Sequence, residues 1–203
     1  MKDYNNLTQE DGMILVKTAR KIVTNYLKMG RKSDLEKEFQ KDFSFNSGVF
    51  VTLSNTAGLR GCIGYPLPDK KLFSALEDAS IAAATEDPRF PALEFKELDS
   101  IIFEVTVLTP PKKIQVNKPE DYISEIKVGR DGLIVINGYN SGLLLPQVPI
   151  EYDWDEKEFL EHTCEKAGLP KDYWKDPNTE IQKFEGIVFK EEEPNGVVIR
   201  EKL

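Results

Sequence analysis

The chain has 203 residues, is 40% apolar and 31% charged, and balances 27 Lys+Arg against 35 Asp+Glu for a formal charge of −8. That length supports a core without staples, and its two cysteines, Cys62 and Cys164, exclude a disulfide-dense scaffold and a ribbon of paired CxxC zinc knuckles. No apolar run approaches the roughly 18 residues of a membrane span, the N-terminal MKDYNNLTQEDG is too polar for a signal peptide, and no basic stripe suits duplex DNA, so a cytoplasmic protein is expected.

Segment 8–28 reads as an amphipathic helix. Thr8 with Asp11 forms a variant capping box, and Ile14, Leu15, Ala19, Ile22, Val23, Tyr26 and Leu27 make one stripe that Gly30 is placed to end. Lys32–Lys41 is charged and reads as a short surface helix or loop. The period then shortens: GVFVTL (48–53), the turn cluster SNTAG (54–58) and LRGCIGY (59–65) predict a β-hairpin. Helical spacing returns over 71–85, and EDPRFPAL (86–93) stops it, because a residue before proline is pushed out of the α region. SIIFEVTVL (100–108) is a strand whose near-continuous apolar run predicts burial on both faces, closed by Pro110-Pro111.

After a PEDY turn (119–122), residues 126–146 read as three strands joined by two glycine-rich turns. A helix over 155–167 follows, with Asp155 as N-cap, Glu158 at N3, and Phe159, Leu160, Thr163, Cys164 and Ala167 on its apolar stripe. IQKFEGIVFKE (181–191) and GVVIREKL (196–203) are late strands. The mixed order of elements predicts an α+β fold with antiparallel pairing, a two-layer arrangement rather than a doubly wound parallel sheet. With 21 Lys and 6 Arg the surface is of the Lys/Glu-rich kind found in proteins of hot habitats, and equally of an ordinary solvated kind.

Candidate chemistry centres on LRGCIGY. Strict alternation would place Arg60, Cys62 and Gly64 on one face and Leu59, Gly61, Ile63 and Tyr65 on the other. Glycines inside a strand mark a bulge or the close approach of a backbone or ligand, so Gly61 and Gly64 draw attention to Cys62. A nearby Arg60 would favour its thiolate, whereas the plainer reading makes Cys62 a small buried hydrophobe. His162, the sole histidine, falls off the apolar stripe of its helix and faces solvent or a cleft. It cannot pair with Cys164 two residues away on that helix, and a zinc site of His162, Cys62 and Cys164 would ask one helix to present opposite faces to an ion. Asp87 and Arg89 in EDPRF either join Arg60 in an anion-binding cleft, with a carboxylate as base, or simply hold the turn. Neither a GxGxxG fingerprint nor a Walker A loop is present, and no cofactor or metal is expected.

LRGCIG at 59–64, with GVFVTL before it and EDPRFPAL, FEVTVLTPP and GLLLPQVPIEYDWDEKEFLEHTCEKAGLP after it, resembles the AMMECR domain family over about residues 8–190. The likeness is to its stand-alone prokaryotic branch. It implies one domain over 1–203 with a larger lobe on an antiparallel sheet flanked by helices, a smaller lobe, and the LRGCIG strand near their junction. It also supports Arg60, Gly61, Cys62 and Gly64 as the functional surface, carries over no reaction, and implies association with a Memo-type protein and a radical-SAM protein. Two readings stay open: an enzyme or enzyme component using Cys62, or a binding or regulatory module that docks a protein or small anion at the LRGCIG surface. A third, recognition of single-stranded nucleic acid through a local basic cleft, runs against the acidic balance.

Overall fold

A computed structural model of the chain describes residues 2–201. It is a mixed α+β protein, and its chain divides into two compact units, one comprising the residues up to Thr109 with those from Ile187 onward, the other Pro110–Gly186.

The first unit opens with α1 (Gln9–Met29), held at its start by the reciprocal bonds of Thr8 and Asp11 and ended by Gly30 at φ +67°, whose N–H reaches the Tyr26 carbonyl. α2 (Lys37–Asp42) shows segment 32–41 to be helical only at its end. It forms because Phe39 is buried beside the Phe43 ring, 4.9 Å away between centroids, whatever the charge around it. β1 (Gly48–Asn55) and β2 (Gly58–Tyr65) form the hairpin, turning through Thr56 and Ala57. α3 (Leu72–Thr85) stops just before Asp87-Pro88, and β3 (Ile102–Leu108) pairs antiparallel with the other edge of β1.

Strand period then sorts the side chains. Val49, Val51 and Leu53 of β1 lie on one face with Phe103, Val105 and Val107 of β3, all fully buried against Leu15 and Ala19 of α1 and Leu76, Ala79 and Ala83 of α3. Each large aliphatic or aromatic side chain so buried contributes about 1.5–3 kcal/mol. The opposite face carries Phe50, Thr52, Cys62, Ile102 and Glu104, all half-buried. The expectation that the 100–108 strand is covered on both faces is therefore corrected: Thr106 is buried, but Ile102 and Glu104 retain access to solvent.

The second unit holds the short β4 (Lys112–Lys113), α4 (Tyr122–Glu125), the hairpin β5 (Asp131–Asn137) and β6 (Asn140–Leu144), α5 (Gln147–Glu151) and α6 (Glu156–Lys166). Its core gathers Leu133, Val135, Phe159, Leu160, Cys164, Trp174 and Ile181. β7 (Glu180–Glu191) pairs antiparallel with β4 and β5 through its first residues and with β8 (Val198–Glu201) through its last. Residues 202–203 of the last predicted strand lie outside the described residues.

Two expectations change here. Residues 126–128 form no strand, since the buried Asp131 carboxylate accepts the Lys127 N–H and folds 127–130 into a turn, leaving two strands in 126–146. No helix is read between 146 and 155, yet α5 forms there, with Pro149 in its first turn, where the proline nitrogen would lack a partner anyway.

Candidate functional site

The hairpin register decides what surrounds Cys62. Cys62 stands directly opposite Thr52, and Thr52 stands opposite Glu104 on its other side. The three side chains therefore form a polar file across β2, β1 and β3 on the half-buried face. The Thr52 Oγ1 and Cys62 Sγ atoms are 3.4 Å apart, and at the far end Lys190 of β7 brings its Nζ within 3.7 Å of the Glu104 carboxylate.

Burial pushes the Cys62 thiol above its ordinary pKa, outweighing the Thr52 hydroxyl and the charge of Arg89. Burial likewise raises the Glu104 carboxyl, against the opposing pull of Lys190 and Thr52. A hydroxyl both donates and accepts, and its proton rotates to suit. As placed, the Thr52 hydroxyl donates to Cys62 Sγ; turned instead toward Glu104, its register partner on β3, its proton would leave the oxygen to accept from the Cys62 S–H, a path from thiol to carboxylate. A carboxylate with a raised pKa is the better base for such a transfer.

Asp87 and Arg89 clamp the strand at Cys62 itself. The buried Asp87 carboxylate accepts the Cys62 backbone N–H at 2.8 Å, the Arg89 N–H at 3.1 Å, and Arg89 Nε and Nη2 at 3.0 and 2.8 Å. Arg89 Nη2 also lies 3.4 Å from the Cys62 carbonyl. The guanidinium holds the Asp87 carboxyl well below the usual carboxylate range, so Asp87 is an ionised strut rather than a proton acceptor. The Arg89 side chain remains 55% exposed and is the cation that acts on the thiol.

Arg60 is placed differently from its expected position. The register slips between Leu53 and Ser54, which face Gly61 and Leu59, so Arg60 is the extra residue of a β-bulge and the alternation breaks there. Its guanidinium grips Glu97 through two 3.0 Å bonds and donates to the carbonyls of Pro91 and Ala92 at 2.8 and 3.4 Å. The anticipated pairing of Arg60 with the thiol is thus replaced by Arg89, and the net shift of the thiol is upward, not toward the thiolate.

The glycines have packing reasons. A Cβ on Gly61 would lie 2.1 Å from the Ala83 carbonyl oxygen of α3, and one on Gly64 would lie 2.4 Å from the Phe50 ring. Both admit a close neighbour belonging to the protein itself.

In the second unit, His162 lies off the buried stripe of α6 as the helical wheel predicts. It stacks on Trp154 at 3.9 Å between centroids, with Nδ1 2.7 Å from Glu165. Cys164 is fully buried in the core, and burial pushes its thiol up to about 11. Cys62 belongs to the first unit, and His162 takes its partners from the second. Among the described residues, no group of three or more His, Cys, Asp or Glu could hold a metal ion, and no helix is long and apolar enough to cross a membrane.

Thr52 and Glu104 were not singled out in the sequence. A signal for Glu104 was present: in IFEVTVL it is the lone charge in an apolar strand, and a charge taken from water needs a partner. Thr52 carried no signal until the register was known.

The AMMECR1 family model matches residues 16–189, and the chain belongs to that family. Among curated relatives, Protein MJ0810 of Methanocaldococcus jannaschii is 50% identical over 199 residues, covering 97% of this chain and 98% of that one. Protein MK0488 of Methanopyrus kandleri is 52% identical over 195 residues, covering 95% and 94%. The crystal structure of uncharacterized protein PH0010 from Pyrococcus horikoshii superposes with a TM-score of 0.89 at 46% identity, covering 97% of this chain and 99% of that one.

Proposed function

We propose that the Cys62–Thr52–Glu104 file is the working site of an enzyme or enzyme component that uses thiol chemistry. In this reading Cys62 Sγ adds to an electrophilic carbonyl carbon of the substrate, the C=O π pair moving onto its oxygen, while the thiol proton passes to Thr52 as the Thr52 proton passes to Glu104. Arg89, half in solvent beside the thiol, receives an anionic part of the substrate. One observation carries the reading: a thiol, a hydroxyl and a carboxylate in register on adjacent strands, on the half-buried face of the sheet. Native alkylation with iodoacetamide and mass mapping tests it. Cys62 is expected to be labelled in the folded chain and Cys164 only after denaturation; a Cys62 that stays inert until the chain unfolds overturns the proposal.

A second reading is a cytoplasmic binding or regulatory module docking a protein or small anion at the LRGCIG surface. What supports it is the exposed Arg89 guanidinium and the exposed Leu59 at the LRGCIG strand, while Arg60, Gly61 and Gly64 are engaged within the fold. The family resemblance supplies Memo-type and radical-SAM proteins as partners to test. On this reading Cys62→Ala retains partner binding and cellular function; on the catalytic reading it retains fold and loses function.

A further inference from the structure

The polar file across β2, β1 and β3 does not end at Glu104. β7 is the next strand of the sheet, and β8 pairs with its last residues, placing Lys190 opposite Ile199. Lys190 Nζ lies 3.7 Å from a Glu104 oxygen and 3.8 Å from a Glu201 oxygen, and Glu201 shares a face of β8 with Ile199. Both separations exceed an ordinary hydrogen-bond length, so the ammonium is divided almost evenly between two carboxylates and committed to neither.

The two carboxylates differ in exposure. The Glu104 side chain is 16% exposed and that of Glu201 is 41% exposed, so water screens the second more than the first. Lys190 opposes the rise that burial imposes on the Glu104 carboxyl, and the charge of Glu201 adds to that rise. The other charges near the file are engaged elsewhere. Asp87 and Arg89 hold each other beside Cys62, and Glu191, next to Lys190 along β7, is buried and held by Arg20 of α1 and the Phe103 N–H.

We propose that Lys190 is a positioning residue of the thiol site and that Glu201 moderates it: the ammonium shared between the two carboxylates decides how readily Glu104 takes the Cys62 proton passed on by Thr52. The inference rests on the reading of Cys62, Thr52 and Glu104 as a proton path, and adds to it a means of tuning carried on β7 and β8. Lys190 keeps its own proton throughout. Removing the two charges acts in opposite directions. Without the Lys190 charge the Glu104 carboxyl keeps its proton to higher pH; without the Glu201 charge Lys190 serves Glu104 alone, and the carboxyl ionises at lower pH. Damage to the fold produces no such pair of opposite signs.

The test follows two quantities in the full chain. Isotope-labelled glutamate gives the titration of the Glu104 carboxyl, its resonance assigned with Glu104→Gln, and the rate of Cys62 alkylation by iodoacetamide is followed against pH. In that reaction Sγ bonds to the methylene carbon, iodide leaves with its bonding pair, and the thiol proton comes to rest on Glu104. Lys190→Gln should move the Glu104 midpoint and the acid side of the rate profile upward together by about one pH unit. Glu201→Gln should move both downward by about half as much, because its exposure screens it, and Lys190→Arg should restore the wild-type profile. Shifts of the same sign, no shift, or a carboxyl midpoint that moves without the rate profile overturns the proposal. A wild-type Cys62 that stays unlabelled in the folded chain, or a rate that Glu104→Gln does not lower, is the separate failure of the proton path, and this inference falls with it.

Discussion

At the scale of single residues, Asp87 and Arg60 perform by charge what a loop performs poorly by packing. Asp87 accepts four hydrogen bonds, one from the Cys62 backbone and three from Arg89, and its carboxyl is held far below the ordinary range. A carboxylate depressed in the folded state stabilises the fold fully above its unfolded pKa of about 4 and loses that contribution as pH falls toward the folded value. Asp87→Asn should therefore destabilise the chain by about 2–3 kcal/mol at neutral pH, with the gap to wild type closing as pH drops below about 4. Denaturant unfolding across that range checks it, and a constant gap would show that the charge of Asp87 is not what matters.

Arg60 fixes the segment after α3 by four bonds, two of them to Glu97, whose carboxyl it holds below its ordinary value. Its side chain is 12% exposed. Arg60→Ala removes the donor to two carbonyls and leaves the partly shielded Glu97 carboxylate with the Glu94 N–H in place of three donated bonds, and a loss of about 2–4 kcal/mol follows. If Arg60 bound a substrate anion instead, stability would stay within about 0.5 kcal/mol, as surface changes usually do, and only ligand affinity would fall.

At the scale of elements, β2 and α3 pack backbone against backbone at Gly61. A methyl group there would sit 2.1 Å from a backbone oxygen of Ala83, which cannot rotate aside. Gly61→Ala should cost about 3 kcal/mol or more, at or above the usual range for overpacking, and should shift backbone resonances of α3 as well as β2. An unperturbed α3 would contradict this packing.

Elements were legible where one local rule dominates. α1 and α6 declare themselves by capping boxes, apolar stripes and terminal glycines, and the β1–β2 hairpin by a period-two run around a turn cluster. The bulge at Arg60 was not legible. It depends on which residues of β1 and β2 pair, and a one-residue slip reverses every side chain beyond it. The turn at 127–130 was hidden for the same reason, since Asp131 reads as a surface residue until its burial is known.

At the scale of the whole molecule, a core forms in each unit with both cysteines free, as the chain's length allows, and relatives of similar extent recur in archaea, several of them thermophilic. The candidate site was half legible. LRGCIG drew attention to Cys62, and EDPRF to Asp87 and Arg89, which the fold brings to the same strand. Thr52 and Glu104 come from strands ten and forty-two residues away in either direction along the chain, joined to Cys62 only by sheet register. No local pattern encodes such a file.

That file is the centre of the account, and the Glu104→Gln variant separates its two physical meanings. If the Glu104 charge acts on Cys62 only through space, removing a negative neighbour lowers the thiol pKa and speeds alkylation at neutral pH. If Glu104 takes the thiol proton through Thr52, its loss slows the reaction. The rate of Cys62 alkylation by iodoacetamide in the folded chain, wild type against Glu104→Gln, is therefore the most direct measurement. The account predicts a fall of about tenfold or more at neutral pH, within the range that general-base assistance contributes; an unchanged or faster rate would contradict it.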